Sequence, residues 1–311
     1  MLFLGAEMQV DLEKELNRLA ATAPTDEREE WALKFLRDYL ESGKKTLTSL
    51  ELAIRSTHRA TKLQSLLFAA YAARFEQDNF EILSQLRRIV VDSKLLVMHL
   101  SCRPRLEKAL ASMATFSENG LRNLIVVGQD DPEDTRYHFD ADRRMLTVPA
   151  PDCYEGLSRK SAAAYRMLGF AALNICVLKV DDDIRAVPDG FDPRYIISLA
   201  DAHDYFGFLI DTRVVGFYRW WHFGKCADAA LNASPYSMIA TADYARGPAY
   251  VLSSRAVATL AQASIYYCRH FEIEGGYEDL AVGKALNAYD IHPANFDLEE
   301  KGLVYSTDSA S

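Results

Sequence analysis

Three carboxylates in a row, Asp181-Asp182-Asp183, follow directly on the run Cys176-Val177-Leu178-Lys179-Val180. Alternate residues of an extended chain point the same way, so Asp181 and Asp183 can face one site while Asp182 faces away or makes structural bonds. Adjacent carboxylates repel one another unless a cation sits among them. Hard oxygen ligands suit Mn²⁺ or Mg²⁺, which bind through one or two carboxylates together with substrate phosphates. Such an ion would act as a Lewis acid on a departing diphosphate. The competing reading is an acidic, solvated turn, and the position at a strand end puts the two on a par. A phosphohydrolase with an aspartyl nucleophile is a weaker alternative, because its DxDx[TV] pattern is broken here by Arg185.

A second acidic pair lies in Gly275-Gly276-Tyr277-Glu278-Asp279, a flexible turn ahead of a helix expected from Leu280. Either acid can cap that helix. Either can also serve as a general base that takes the proton of an attacking hydroxyl. Gly247, ahead of an apolar segment, allows close backbone approach to a ligand or marks a bulge. Arg103 and Arg105 follow the first expected strand and are candidate donor contacts, with ordinary surface charge as the alternative. His99 ends that strand, where a nucleotide base would lie. Tyr218, Trp220, Trp221 and His222 form an aromatic cluster that reads first as core and second as a platform for sugar faces. His58 falls in a helical region and reads as structural.

These groups need a scaffold, and the hydrophobic pattern supplies one. Asp26 and Glu29 suit a capping box after Pro24. Trp31, Phe35, Leu36, Tyr39 and Leu40 then recur at helical spacing up to Ser42-Gly43. Further stripes run through Leu47, Leu50, Ala53 and Ile54, through Leu63, Leu66, Leu67 and Tyr71, and through Ile82, Leu83, Leu86, Ile89 and Val90. Residues 1–92 are therefore expected to form a helical bundle whose stripes need a partner surface, in the same chain or in a homo-oligomer. From residue 93 the character changes. Apolar runs at 94–100, 124–128, 146–148 and 176–180 alternate with helical patterns, and an acidic turn, Gln129-Asp130-Asp131-Pro132, follows the second run. That alternation predicts an α/β domain over 93–311 with a mainly parallel central sheet. Ligands bind such sheets beyond the carboxyl ends of the strands.

Composition narrows the function. The net charge of −9 argues against a nucleic-acid surface. Five cysteines without a CxxC pair suit buried free thiols in a reducing compartment. The uncharged, mostly apolar stretches 167–178 and 256–268 fall short of the roughly 18 apolar residues that cross a bilayer. Met1-Leu2-Phe3-Leu4-Gly5 soon meets Glu7 and Asp11, which suits neither a signal peptide nor an anchor. A cytoplasmic location of bacterial type is expected, including the periphery of an inner membrane; a trimmed luminal form is the alternative.

Four blocks, taken in order, resemble the β-1,3-galactosyltransferase and Fringe-type glycosyltransferases. Val177-Leu178-Lys179-Val180-Asp181-Asp182-Asp183-Ile184 is similar to their YVLKTDDDVF signature. Arg246-Gly247-Pro248-Ala249-Tyr250-Val251-Leu252-Ser253 is similar to SGGGYVLS, with Ser234-Pro235-Tyr236 ahead of it as YPPY is in the family. Glu278-Asp279-Leu280-Ala281-Val282-Gly283 is similar to EDVYVG, and Asp152 to Lys160 to DSYxNLTxKT. The match spans roughly residues 93–293. Pro248 and Ala249 replace two glycines of the family's segment, and residues 1–92 lie outside the resemblance.

The resemblance implies a GT-A fold, a UDP-sugar donor, Mn²⁺ or Mg²⁺, and inversion at the anomeric carbon. It implies a galactose- or N-acetylglucosamine-type sugar passed to a glycan or lipid-linked saccharide, with a β-1,3 linkage. Within it, Asp181 and Asp183 would hold metal and Asp279 would be the base with Glu278 in support. Asp182, Arg105, His99, Lys160 and Gly247 would contact the donor. His292, in Ile291-His292-Pro293, is a further metal-ligand candidate, because imidazole suits this borderline metal and GT-A enzymes often add a late histidine. Its spacing after the acidic motif is shorter than the family's. A noncatalytic binding module or assembly scaffold on the same fold is the alternative function.

Overall fold

The computed structural model describes residues 12, 14–19, 21, 26–42, 46–58, 61–131, 133–171, 173–188, 190–214, 216, 218–237 and 240–306. Met1–Gly5, Pro24, Gly43 and Pro132, which the sequence reading used, lie outside the described residues. The chain divides into two compact units, Met1–Leu83 with Ile265–Tyr267, and Ser84–Ser264 with Cys268–Ser311. The division falls inside a helix, earlier than the expected change at residue 93.

In the first unit, α1 (Glu27–Ser42), α2 (Leu47–Ser56) and α3 (Lys62–Asp78) pack on one another. Their stripes are the expected ones: Phe35, Leu36 and Tyr39, then Leu50, Ala53 and Ile54, then Leu63, Leu67 and Tyr71 are buried. Trp31, expected on the first stripe, is exposed and rests beside Phe35. Side-chain caps begin these helices. Asp26 accepts from the Arg28 and Glu29 amides at 2.9 Å, Thr46 from Ser49 and Thr61 from Gln64. His58 is structural, its Nε2 lying 2.6 Å from Asp26 Oδ2. The next helix, α4 (Phe80–Ile89), carries the chain into the second unit.

The second unit is an α/β domain around an eight-stranded sheet in the order β3-β4-β2-β1-β5-β8-β7-β9. Its strands are β1 (Leu95–Leu100), β2 (Arg122–Gln129), β3 (His138–Asp140), β4 (Met145–Pro151), β5 (Cys176–Asp181), β7 (Tyr205–Asp211), β8 (Asp243–Leu252) and β9 (Ala294–Asn295). β4, β2, β1 and β5 run parallel, and β8 lies antiparallel between β5 and β7. A two-stranded ribbon joins β6 (Ile184–Ala186) to β10 (Leu303–Tyr305). Burial on both faces explains why β1 and β5 are almost wholly apolar.

Alternation along the strands sorts the two faces. Leu95 and Val97 of β1 and Leu178 and Val180 of β5 join Phe116, Phe191 and Ile196 in one core. Phe116 belongs to α5 (Leu106–Glu118) and Ile196 to α7 (Pro193–Ala202). The intervening residue of β5, Lys179, points the other way, toward α6 (Leu157–Phe170) and the later helix that begins at Glu278. The register pairs Leu100 with Asp181. The carboxyl ends of two central parallel strands therefore open side by side. Among the described residues, no helix is long and apolar enough to cross a membrane.

Candidate functional site

β5 ends at Asp181, and Asp182 and Asp183 turn the chain into β6. The alternation holds through this turn. The side chains of Asp181 and Asp183 are 40% and 28% exposed, whereas that of Asp182 is 6% exposed. Asp182 makes the structural bonds: its Oδ2 accepts from Ser101 Oγ at 2.7 Å, and its Oδ1 lies 2.5 Å from Arg105 Nη2. Burial pushes its carboxyl up to about 6 despite these partners. The same Arg105 nitrogen reaches Asp183 Oδ2 at 3.1 Å. Arg105 sits in the short turn after β1, so adjacent parallel strands deliver the acids and their cation to one place.

The second acidic pair opens α8 (Glu278–Asn287), packed against α6 and β8. Asp279 Oδ2 accepts from the Gly247 amide at 2.9 Å, and Oδ1 accepts from the Leu280 amide at 2.8 Å. A Cβ at position 247 would lie 3.1 Å from that same Oδ2. The close approach expected at Gly247 is thus to the carboxylate of Asp279. Burial, and after it the charge of Glu278, pushes the Asp279 carboxyl up to about 7. Burial outweighs the amides of Leu280 and Gly247, which favour the charged form.

Between the two acidic groups lies Lys179, which is fully buried. Its Nζ is 2.6 Å from Asp181 Oδ1 and 2.5 Å from Glu278 Oε1, and it donates to the Gly247 carbonyl. Burial works against the ammonium, but Asp181 and Glu278 outweigh it and raise its pKa. On the far side of Glu278, Tyr250 Oη donates to Oε2 at 3.0 Å, and Tyr165 Oη lies 2.7 Å from that hydroxyl. Burial raises the Glu278 pKa, and the Lys179 charge opposes this. One ammonium thus joins the acidic turn, the Gly247 backbone and the residue beside Asp279.

These groups border a cavity of about 860 Å³. Asp181, Asp183, Arg105, Gly247, Glu278 and Asp279 all line it, so the structure brings these sequence candidates together. Lys160 also lines it, but its ammonium is spent on the Ser101 carbonyl at 2.6 Å and on Asp152 at 2.9 Å. That ion pair is fully buried, and Asp152 in turn accepts from the Gly128 and Arg103 amides. Lys160 therefore ties the ends of β1 and β2 together at the wall of the cavity.

Two histidines depart further from expectation. His99 shares a face with Leu95 and Val97 and is fully buried against Phe116. Its Nε2 lies 2.9 Å from Asn123 Oδ1 and its Nδ1 3.1 Å from Ser112 Oγ. Burial pushes it down to about 4, so it is a neutral core residue outside the cavity lining. His292 is also outside that lining: its ring is 53% exposed and its Nδ1 is 3.1 Å from Asp243. Its partner is a carboxylate of β8, and the proximity to Asp181 and Asp183 that a shared metal requires is not found.

The aromatic cluster is a correction of the opposite kind. Tyr218, Trp220 and Trp221 are exposed, with Tyr218 and Trp221 on the cavity rim, and only His222 is buried. The His222 ring reaches Tyr277 Oη at 2.8 Å and the Leu231 and Ser234 carbonyls at 2.8 and 3.0 Å. It fastens this loop beside the Glu278–Asp279 turn. Sequence reasoning gave no role to Lys179, Tyr154, Lys225 or Arg246. The legible signal at Lys179 was a single charge inside an otherwise apolar strand, two residues before Asp181.

Among the described residues no group of three or more His, Cys, Asp or Glu side chains is placed to hold a metal ion. Asp181 and Asp183 do form a pair of hard oxygen donors facing a cavity. Each is bonded to its cation through one oxygen, Oδ1 of Asp181 and Oδ2 of Asp183. This donor set fits a divalent ion completed by substrate phosphates. A scan against protein-family models and a search of curated proteins find no match for this chain.

Proposed function

We propose that this chain is an inverting glycosyltransferase with a GT-A type fold, moving a galactose- or N-acetylglucosamine-type sugar from a UDP-sugar to a saccharide acceptor. The observation that carries the reading is a half-buried carboxylate, Asp279, pushed up to about 7 in the same cavity as Asp181 and Asp183. The four-block resemblance supports the same assignment. A volume of about 860 Å³ suits a nucleotide-sugar with part of an acceptor.

In this reading Asp279 takes the proton of an acceptor hydroxyl as its oxygen attacks the anomeric carbon. The bond from that carbon to the diphosphate breaks, and UDP leaves with the bonding electrons. The two backbone amides on Asp279 aim its carboxylate, and Gly247 leaves space for that aim. Asp181 and Asp183 would hold Mn²⁺ or Mg²⁺, which when bound supplies neutralisation of the departing diphosphate. Asp182 and Arg105 hold the turn that presents those two acids.

The test is UDP release from UDP-sugars in the presence of Mn²⁺, with and without simple sugar acceptors. Release is expected to stop in EDTA and in Asp183→Ala, while the far-UV spectrum and thermal transition of that variant stay intact. Transfer undiminished by EDTA would refute the assignment of Asp181 and Asp183.

A further inference from the structure

The loop between β7 and β8 carries a cation into the lining of the cavity that the acidic turn borders. Lys225 lines the cavity. Its backbone is built into place from both sides. Asn232 Oδ1 accepts from the Gly224 amide at 3.0 Å and from the Cys226 amide at 3.2 Å, and Asn232 Nδ2 donates to the Cys226 carbonyl at 2.7 Å. Gly224 has φ +74°, a conformation that favours glycine, and the Lys225 amide donates to the carbonyl of the buried His222.

The side chain is equally placed. Lys225 Nζ lies 4.1 Å from the centre of the Trp221 ring and 5.6 Å from that of Tyr154. Aromatic faces hold an ammonium without neutralising it. Three other cations on the cavity wall are neutralised: Arg105 by Asp182 and Asp183, Lys160 by Asp152, and Arg246 by Glu299. Among the described residues Lys225 has no carboxylate partner. It is near enough to feel the charges of Asp181 and Asp183, and burial lowers its pKa. An uncompensated ammonium in a chain of net charge −9 is the group that an incoming anion meets.

We infer that Lys225, on its Trp221–Tyr154 platform, binds the diphosphate of the donor in the cavity that Asp181 and Asp183 also line. The inference rests on the nucleotide-sugar reading for the identity of its ligand, though the anion site itself follows from geometry. A charge-assisted hydrogen bond to phosphate is strong enough for its loss to weaken binding by roughly 10- to 100-fold.

Calorimetry with UDP and with inorganic pyrophosphate, each with Mn²⁺, on wild type, Lys225→Met and Lys225→Arg tests this. Lys225→Met is expected to weaken both ligands by roughly tenfold or more, and Lys225→Arg to restore most of the loss. Equal thermal transitions in the three proteins exclude misfolding. Wild-type affinity for UDP in Lys225→Met overturns the inference while leaving the nucleotide-sugar reading in place. Pyrophosphate binding that depends on Lys225, without any UDP binding, supports the anion site and removes the nucleotide-sugar reading. Binding of neither ligand to wild type overturns both.

Discussion

Replacing Asp279 with Asn separates two consequences of one buried carboxylate. The ordinary value for this carboxyl is 3.8, and in the folded protein burial and then Glu278 push it up to about 7. Between those values the folded protein keeps a proton that the unfolded chain has released. Stability therefore falls as pH rises through this window, and above about 7 the cost of the buried charge is complete. At about 1.4 kcal/mol per pH unit that cost is on the order of 4 kcal/mol. Asn carries no ionisation penalty. Relative to wild type, Asp279→Asn is thus expected to gain about 3 kcal/mol of stability between pH 5 and pH 8. The Asn amide accepts from only one of the two backbone donors, Gly247 and Leu280, which offsets part of its advantage at every pH.

The assay is a series of thermal melts of metal-free wild type and variant from pH 5 to 8.5. For a folding unit of this size the relative gain corresponds to roughly 5 to 10 °C. In parallel, kcat/KM of the wild type should rise with pH along an acid limb near 7, and Asp279→Asn should lower turnover by roughly 10²-fold or more with UDP affinity little changed. Parallel melting curves at every pH would show that Asp279 is ionised at its ordinary value and would remove the reasoning for it as a tuned base. A turnover near that of wild type would transfer the role to Glu278.

Two further outcomes follow from the same geometry. Lys179→Met should destabilise the fold by about 3–5 kcal/mol in denaturant titrations, because it leaves Asp181 and Glu278 without their buried cation, and adding Glu278→Gln should recover part of that loss. His292→Ala should leave the Mn²⁺ dependence of UDP binding unchanged in calorimetry, since its imidazole is engaged with Asp243 and lies outside the cavity lining.

The parallel half of the sheet was legible because fully buried strands read as short apolar runs with helical periods between them. β1, β2, β4 and β5 each carry such a run. The antiparallel half was much less legible. β7 reads Tyr205-Phe206-Gly207-Phe208-Leu209-Ile210-Asp211, with a glycine in the middle and a far end that is only partly buried. Its register is set by the pairing with β8, so its identity as a strand depends on a partner distant in sequence. The same limit applies to His292. Following the Asp279 helix in sequence suggested nearness to its acids, but the chain leaves α8 to pair β9 with β7. His99 shares a strand face with Leu95 and Val97, but both faces of β1 are buried, so alternation alone could not tell a core histidine from one at a ligand.

Lys179 shows what a linear reading loses and why the loss matters for mechanism. Its near partner, Asp181, is two residues away on the same strand face, but Glu278 and Gly247 join it only when α8 and β8 close on β5. Once they do, the acids in this part of the cavity outnumber their cations. Asp181, Asp182, Asp183, Glu278 and Asp279 face Lys179 and Arg105. The raised values at Asp182, Glu278 and Asp279 are the response to burial and to that imbalance, since a bound proton relieves part of it. A diphosphate entering beside Asp181 and Asp183 would add negative charge to a region already in excess, at a cost that rises as water is excluded. In the proposed reaction the donor must therefore arrive with compensating charge, from a divalent ion on Asp181 and Asp183 and from Lys225 in the cavity lining. Either one alone leaves an excess, and the coupling between them is the electrostatic reason that metal and UDP should bind together more tightly than separately.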